Sequence, residues 1–244
     1  MKKKQRAAED RKKYEESVAA CTDVWLKEIL PEWHLVNQSK RVHNLWWKGL
    51  PPKVRGTVWK LAVGNELQLT KNLYYIMVDR AKDTLRCCKD SHYDGNLKEE
   101  TRDNVRDIRL DVLRTFPHLC IFQECGPYHE QLLNVLGAYA SYRPDVGYVQ
   151  GMSFLTAVLL LNLEPSDAFI LLSNLLHQPC QRAFFRMDAD MVCYLANISF
   201  SWHLTLKDKW SSKKSKNLKN SSNQCTKGGW GVCQMRTLLL IFVC

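Results

Sequence analysis

The sequence has no Cys-x-x-Cys pair, although it holds ten cysteines; Cys87 and Cys88 are adjacent and the rest are scattered. Its seven histidines are equally dispersed. A zinc site needs four convergent ligands, usually supplied in closely spaced pairs, so a metal-built domain is not expected. Reduced thiols in a cytosolic protein fit this pattern better. No apolar stretch follows the opening Met-Lys-Lys-Lys-Gln-Arg, as a signal peptide would require. The longest apolar run, 152–163, is interrupted by Ser153 and Thr156. It is too short to span a bilayer and reads as a buried core helix. There is no β-alternating run of useful length and no internal repeat, which leaves an all-α class.

Basic charge is plentiful, but it is not spread evenly. The chain carries a net charge of +10, yet residues 1–13 alone carry +5 and residues 207–244 carry +7. Residues 14–206 therefore sum to −2. A nearly neutral middle argues against a nucleic-acid-binding face, and no element looks suited to reading bases. The basic ends read as solvated tails that add, at most, weak peripheral attraction to acidic membranes.

Residues 1–30 read as a basic helical arm, solvent-exposed or coiled-coil-like, with no Gly or Pro before Pro31. Trp33, Trp46 and Trp47 lead into Gly49-Leu50-Pro51-Pro52, a turn feeding a new helix with proline in its first turn. Val54, Val58, Leu61 and Ala62 then recur at helical spacing, as do Leu73, Ile76, Met77 and Ala81 over residues 71–86. Residues 87–101 read as a polar surface loop. A helix from Thr101 carries Val105, Ile108, Val112 and Leu113, and Pro117 ends it by pushing Phe116 out of the α region. Further helices are expected over 128–142, 152–163, from a Ser166 cap to about His177, and over 182–200. Residues 207–224 are Lys, Ser and Asn rich and read as disordered. Residues 238–244 are a bare apolar run.

Three short patterns carry the chemistry: Arg55-Gly-Thr-Val-Trp59, Ile108-Arg-Leu-Asp111-Val-Leu-Arg114, and Tyr148-Val-Gln150 followed by Gly151. Taken alone, each has a plain reading. Arg55 and Trp59 make a packed tryptophan beneath a cation. Asp111 and Arg114, at i and i+3, make a surface ion pair. Gln150 is a loop or capping glutamine. The sharper reading starts from position. Arg114 lies in the last helical turn before Pro117, so its side chain can leave the helix end while Asp111 holds its orientation. A prepositioned guanidinium suits phosphoryl transfer, where charge on the γ-phosphate oxygens must be neutralised. Gln150, between Gly147 and Gly151 and ahead of a helix, offers one acceptor and two donors to orient a water.

In this order on an all-α chain, the three patterns resemble the Arg-x-x-x-Trp, Ile-x-x-Asp-x-x-Arg and Tyr-x-Gln signatures of the TBC domain, the family of Rab GTPase activators. The likeness runs over roughly residues 22–200 and is nearest the branch of TBC-domain family members twelve and fourteen. It implies an all-α helical array over residues 31–202, with Arg114 and Gln150 as the catalytic pair supplied in trans. Asp111, Arg55, Trp59, Ile108, Tyr148 and Gly151 support them. It also implies no cofactor or metal of the chain's own, GTP and Mg on the partner, and a Rab small GTPase, of recycling-endosome type, as that partner. It further implies a cytoplasmic place on endosomal or Golgi membranes, in vesicle trafficking and autophagy regulation. The family-like text fades after Phe200, so residues 203–244 read as a divergent, mostly disordered tail of a truncated or alternative product. On that reading the C-terminal lobe is missing. Leaving about 400 Å² of apolar surface uncovered forgoes roughly 10 kcal/mol, comparable to a domain's net stability of about 5–15 kcal/mol. The expectation is then a poorly stable, aggregation-prone chain, weak or inactive as a GTPase activator although it holds both catalytic residues, and the alternative function is a non-catalytic Rab-binding decoy.

Overall fold

The structure is a computed structural model and describes residues 2–87 and 99–178. Among these residues the secondary structure is helical and contains no strand. The helix expected over 182–200, the tail from 203 and the centre of the 87–101 loop lie outside the described residues.

Helix α1 (Lys2–Val24) runs into a π-helical turn, Trp25–Ile29. The early part of α1 is exposed, with Tyr14 at 70%. Its end is not, because Trp25 and Ile29 are core residues. The arm is therefore anchored by its C-terminal turns, which seat with Trp33 and Trp46 in one hydrophobic cluster. Two short helices follow, α2 (Trp33–Val36) and α3 (Lys40–Trp47). Ser39 caps α3 by accepting the Val42 N–H at 3.3 Å.

Helix α4 (Pro52–Val63) begins at the expected proline and stops at Gly64, whose φ of +74° no helix can continue. Val54, Val58 and Ala62 are buried as the period requires, but Leu61 is 43% exposed. In α5 (Lys71–Cys87) the inward face is turned by one residue from the expected one. Tyr74, Val78 and Ala81 form the buried stripe, while Ile76 is 59% exposed. An aromatic ring at position 74 fits the deep site better than an aliphatic at 73 or 76, because it stacks on Phe169 at 5.5 Å between centroids.

Helix α6 (Glu99–Arg114) packs on α7 (His129–Tyr142), which is central: it also lies against α5, α8 (Met152–Leu160) and α9 (Pro165–His177). Helix α8 is apolar nearly all round and is buried accordingly, but it ends at Leu160, three residues short of the expected end. Asn162 breaks it, its side chain donating back to the Val158 carbonyl at 2.9 Å. Ser166 does not cap α9. Glu164 holds the cap position without a side-chain bond, Pro165 opens the first turn, and Ser166 is buried within it.

Two contacts fix α4 against the α8–α9 turn. Gly56 passes so close to it that an added Cβ would lie 2.4 Å from the Asn162 carbonyl oxygen. Asp167 receives Lys60 at 2.8 Å and Lys71 at 3.4 Å, tying α4 and α5 to the start of α9. Burial alone would raise the Asp167 carboxyl, but the hydrogen bond and charge of Lys60, with Lys71, outweigh it and hold the carboxyl below its ordinary 3.8.

Gly56→Ala should therefore lower stability by about 1–3 kcal/mol, whereas Thr57→Ala on the exposed side of the same helix should stay within about 0.5 kcal/mol; urea unfolding midpoints measure both. The Asp167 pairing predicts a pH dependence with a definite sign. A carboxyl depressed in the folded state adds stability above its unfolded pKa and loses it as pH falls through the folded one. The stability difference between wild type and Asp167→Asn should be fully present at pH 7 and should shrink only as pH falls below the ordinary carboxyl value of 3.8 and on through the depressed folded one.

Candidate functional site

The site is built at the C-terminal end of α6. Ile108, Asp111 and Val112 lie on its buried face; Leu110, Leu113 and Arg114 lie on the exposed one. The chain turns back sharply after Arg114. Phe116 takes a left-handed conformation (φ +42°) before Pro117, and its ring packs edge-on against Phe154 at 5.3 Å. Gln123 closes the helix end, its Nε2 donating to the Leu113 carbonyl at 3.3 Å and the Thr115 carbonyl at 3.1 Å. Arg114 is thereby left as the last helical residue, with its side chain 53% exposed.

Asp111 is 2% exposed, so its pair with Arg114 is not the surface ion pair of the plain reading. One carboxylate oxygen, Oδ1, accepts from Arg114 Nη2. The other, Oδ2, accepts from the Tyr148 hydroxyl and from the Gly151 backbone N–H at 3.2 Å. A buried carboxylate is tolerated only when such donors replace the water it has lost. Burial, then the bond to Asp111, pushes the Tyr148 phenol well above its ordinary 10, so the hydroxyl stays a donor at neutral pH.

The segment 143–151 carries Gln150, which is exposed. It is pinned at several points. Arg143 forms a two-pronged pair with Asp145, both bonds at 2.8 Å. Gly147 bends the backbone with a φ of +64°, and the Tyr148 N–H donates to Asn104 Oδ1 at 2.9 Å. Gly151, at a φ of +98°, occupies the N-cap of α8. Deeper in, Thr115 Oγ1 donates to the Asp111 carbonyl at 2.7 Å and lies 2.8 Å from Ser153 Oγ, joining the end of α6 to the start of α8.

Direct bonds thus join Asp111, Arg114, Tyr148 and Gly151, and Gln150 lies between the last two. Ile108 is buried one turn back on α6. The first pattern lies on another helix. Arg55 donates to the Leu50 carbonyl at 3.1 Å and to Asn162 Oδ1 at 3.3 Å, bracing the α8–α9 turn, and Trp59 is buried in the core. Asn104 was not singled out in the sequence. Its position seven residues before Asp111 places both on one face of a helix and was the available signal. Among the described residues no group of His, Cys, Asp and Glu could hold a metal ion, and no helix is long and apolar enough to cross a membrane.

If Asp111 holds both Arg114 and the 148–151 segment, removing its charge should loosen both. Asp111→Asn should cost about 1–3 kcal/mol of stability, and so should Tyr148→Phe. Because the two share a bond, the double variant should cost clearly less than the sum. Strict additivity in chemical unfolding would contradict the shared network.

Comparison with known proteins identifies the family. The Rab-GTPase-TBC domain (RabGAP-TBC) profile matches residues 52–223, running past Phe200, where the resemblance read from the sequence fades. The chain is 52% identical over 194 residues to TBC1 domain family member 12 of Rattus norvegicus, covering 78% of this chain and 28% of that protein. It is 49% identical over 201 residues to TBC1 domain family member 14 of Homo sapiens, covering 80% of this chain and 29% of the relative. The chain thus spans under a third of the length of these relatives. A solved structure, the Chlamydomonas flagellar RabGAP TBC domain, aligns at 26% identity over 67% of this chain and 54% of that one, with a TM-score of 0.43; at that score the family assignment rests on the sequence matches. On these matches, the chain belongs to the Rab-GTPase-TBC domain family.

Proposed function

We propose that this chain stimulates GTP hydrolysis by a Rab-family small GTPase, supplying Arg114 and Gln150 in trans. The observation that carries this reading is one buried carboxylate, Asp111, which holds an exposed arginine on one oxygen and the backbone beside an exposed glutamine on the other. GTP and Mg come with the partner, and the chain contributes no cofactor. Arg114 neutralises charge spreading over the γ-phosphate oxygens as the bond to the leaving GDP breaks. Gln150 orients the water that attacks the phosphorus. The Arg114 guanidinium is held by Asp111, and the backbone on either side of Gln150 is held by α6, so less reorganisation is needed when charge develops. The basic first residues add attraction to acidic membranes, which suits a partner on endosomal or Golgi surfaces.

The test is single-turnover GTP hydrolysis across a panel of Rab proteins, with binding measured in parallel. Arg114→Ala should lower the stimulated rate by about 10³–10⁵-fold. Arg114→Lys should recover little of it, since lysine lacks the planar fork that spans two phosphate oxygens. Gln150→Ala should reduce turnover while leaving GTPase binding nearly unchanged. Rab binding without any stimulated hydrolysis would identify the chain as a docking module instead.

A further inference from the structure

Asn104 stands two helical turns before Asp111 on the same side of α6, outside the three patterns that define the family. Its Oδ1 accepts the Tyr148 N–H at 2.9 Å, and no other backbone amide of 148–151 is bonded so far toward the start of α6. The fit to the neighbouring residue is tight. A Cβ on Gly147 would come within 2.9 Å of both Oδ1 and Nδ2 of Asn104. Gly147 is also left-handed, so the loop is bent where its backbone meets this side chain.

The consequence follows from how a short segment is held. Asp111 fixes the Gly151 amide on the far side of Gln150. Its second contact is to the Tyr148 hydroxyl, at the tip of a side chain, and does not hold the Tyr148 backbone amide. Asn104 holds that amide itself. The backbone carrying Gln150 is then clamped two residues before it and one residue after it, both times by α6. Since Arg114 ends that helix, the clamp sets the glutamine relative to the arginine.

We infer that Asn104 is a positioning residue that fixes Gln150 against Arg114 for the attack of water. This rests on the role proposed above for Gln150. Asn104 acts through the loop, so its loss should appear in the rate of the reacting complex and not in docking. A displacement of about 1 Å in a positioned group can cost up to about a hundredfold in rate.

The experiment is single-turnover hydrolysis at varied concentrations of the chain, using a Rab protein that wild type stimulates. The variants are Asn104→Ala, Asn104→Asp, Gln150→Ala and the double Asn104→Ala/Gln150→Ala. Asn104→Ala should lower the maximal rate by roughly tenfold or more with the half-saturating concentration unchanged. Asn104→Asp keeps an acceptor for the Tyr148 N–H and should stay within about twofold of wild type. The double variant should be no slower than Gln150→Ala alone, because the clamp has nothing left to position. Asn104→Ser, still polar but too short to reach, gives the same readout if the alanine variant does not fold. The inference is overturned if Asn104→Ala slows the Gln150→Ala background by the same factor as wild type. It is also overturned if Asn104→Asp fails like alanine, or if the half-saturating concentration rises while the maximal rate holds. Wild-type turnover in Gln150→Ala alone would overturn the underlying role of Gln150, and this inference with it, before Asn104 is altered.

Discussion

The structure around the site depends on one buried carboxylate. Asp111 is nearly inaccessible to water, and an ionised group there is tolerable only if donors take the place of its lost hydration. Arg114, Tyr148 and Gly151 supply them. The same requirement draws three separate pieces of chain together: the last turn of α6, the bend after α7 and the start of α8. The electrostatic need of one side chain therefore holds the Arg114 guanidinium and the backbone beside Gln150, two exposed residues that have no direct bond to each other among the contacts described.

The surrounding fold serves that arrangement. Helix α7 lies at the centre and supports α5, α6, α8 and α9, so the two ends that meet at Asp111 rest on a common element. The aromatic contact of Phe116 with Phe154 and the Gln123 closure of the helix end force α6 to stop at Arg114. Had the helix continued one more turn, the arginine would project from its flank among ordinary surface charges. The Thr115–Ser153 contact beneath it is buried and joins α6 to α8 where any relative slip would misalign the pair.

Much of this was legible in the sequence, for physical reasons that differ by element. Proline and glycine at 51, 52, 117 and 147 act through local backbone geometry, so these turns and the end of α6 fell where expected. The apolar character of α8 needs no knowledge of its neighbours, and it was buried as read. What failed required tertiary information. The inward face of α5 was off by one residue because Tyr74 competes for the deep position by stacking on Phe169, a residue ninety-five positions away in the sequence. The last turn assigned to α8 was lost because Asn162 serves the crossing with α4. Ser166 satisfied a capping pattern that Pro165 and Glu164 pre-empted. Asp111 was read as holding Arg114, with a surface ion pair as the plain alternative, and only the fold shows how deeply it is buried. The supporting contacts of Arg55, to Leu50 and to Asn162 at the crossing of α4 with the α8–α9 turn, are likewise visible only in the fold. Asn104 carries no motif of its own, and its bond spans forty-four residues.

The central claim is that Asp111 holds the 148–151 backbone to α6 in the free protein, before any GTPase binds. Amide hydrogen exchange of Tyr148 and Gly151 tests it most directly. Both amides should be protected in the isolated chain and should open together with the Thr115 amide at the end of α6, and Asp111→Asn should release Gly151 in particular. Exchange of Tyr148 and Gly151 at the rate of an open loop, indifferent to Asp111→Asn, would contradict the account.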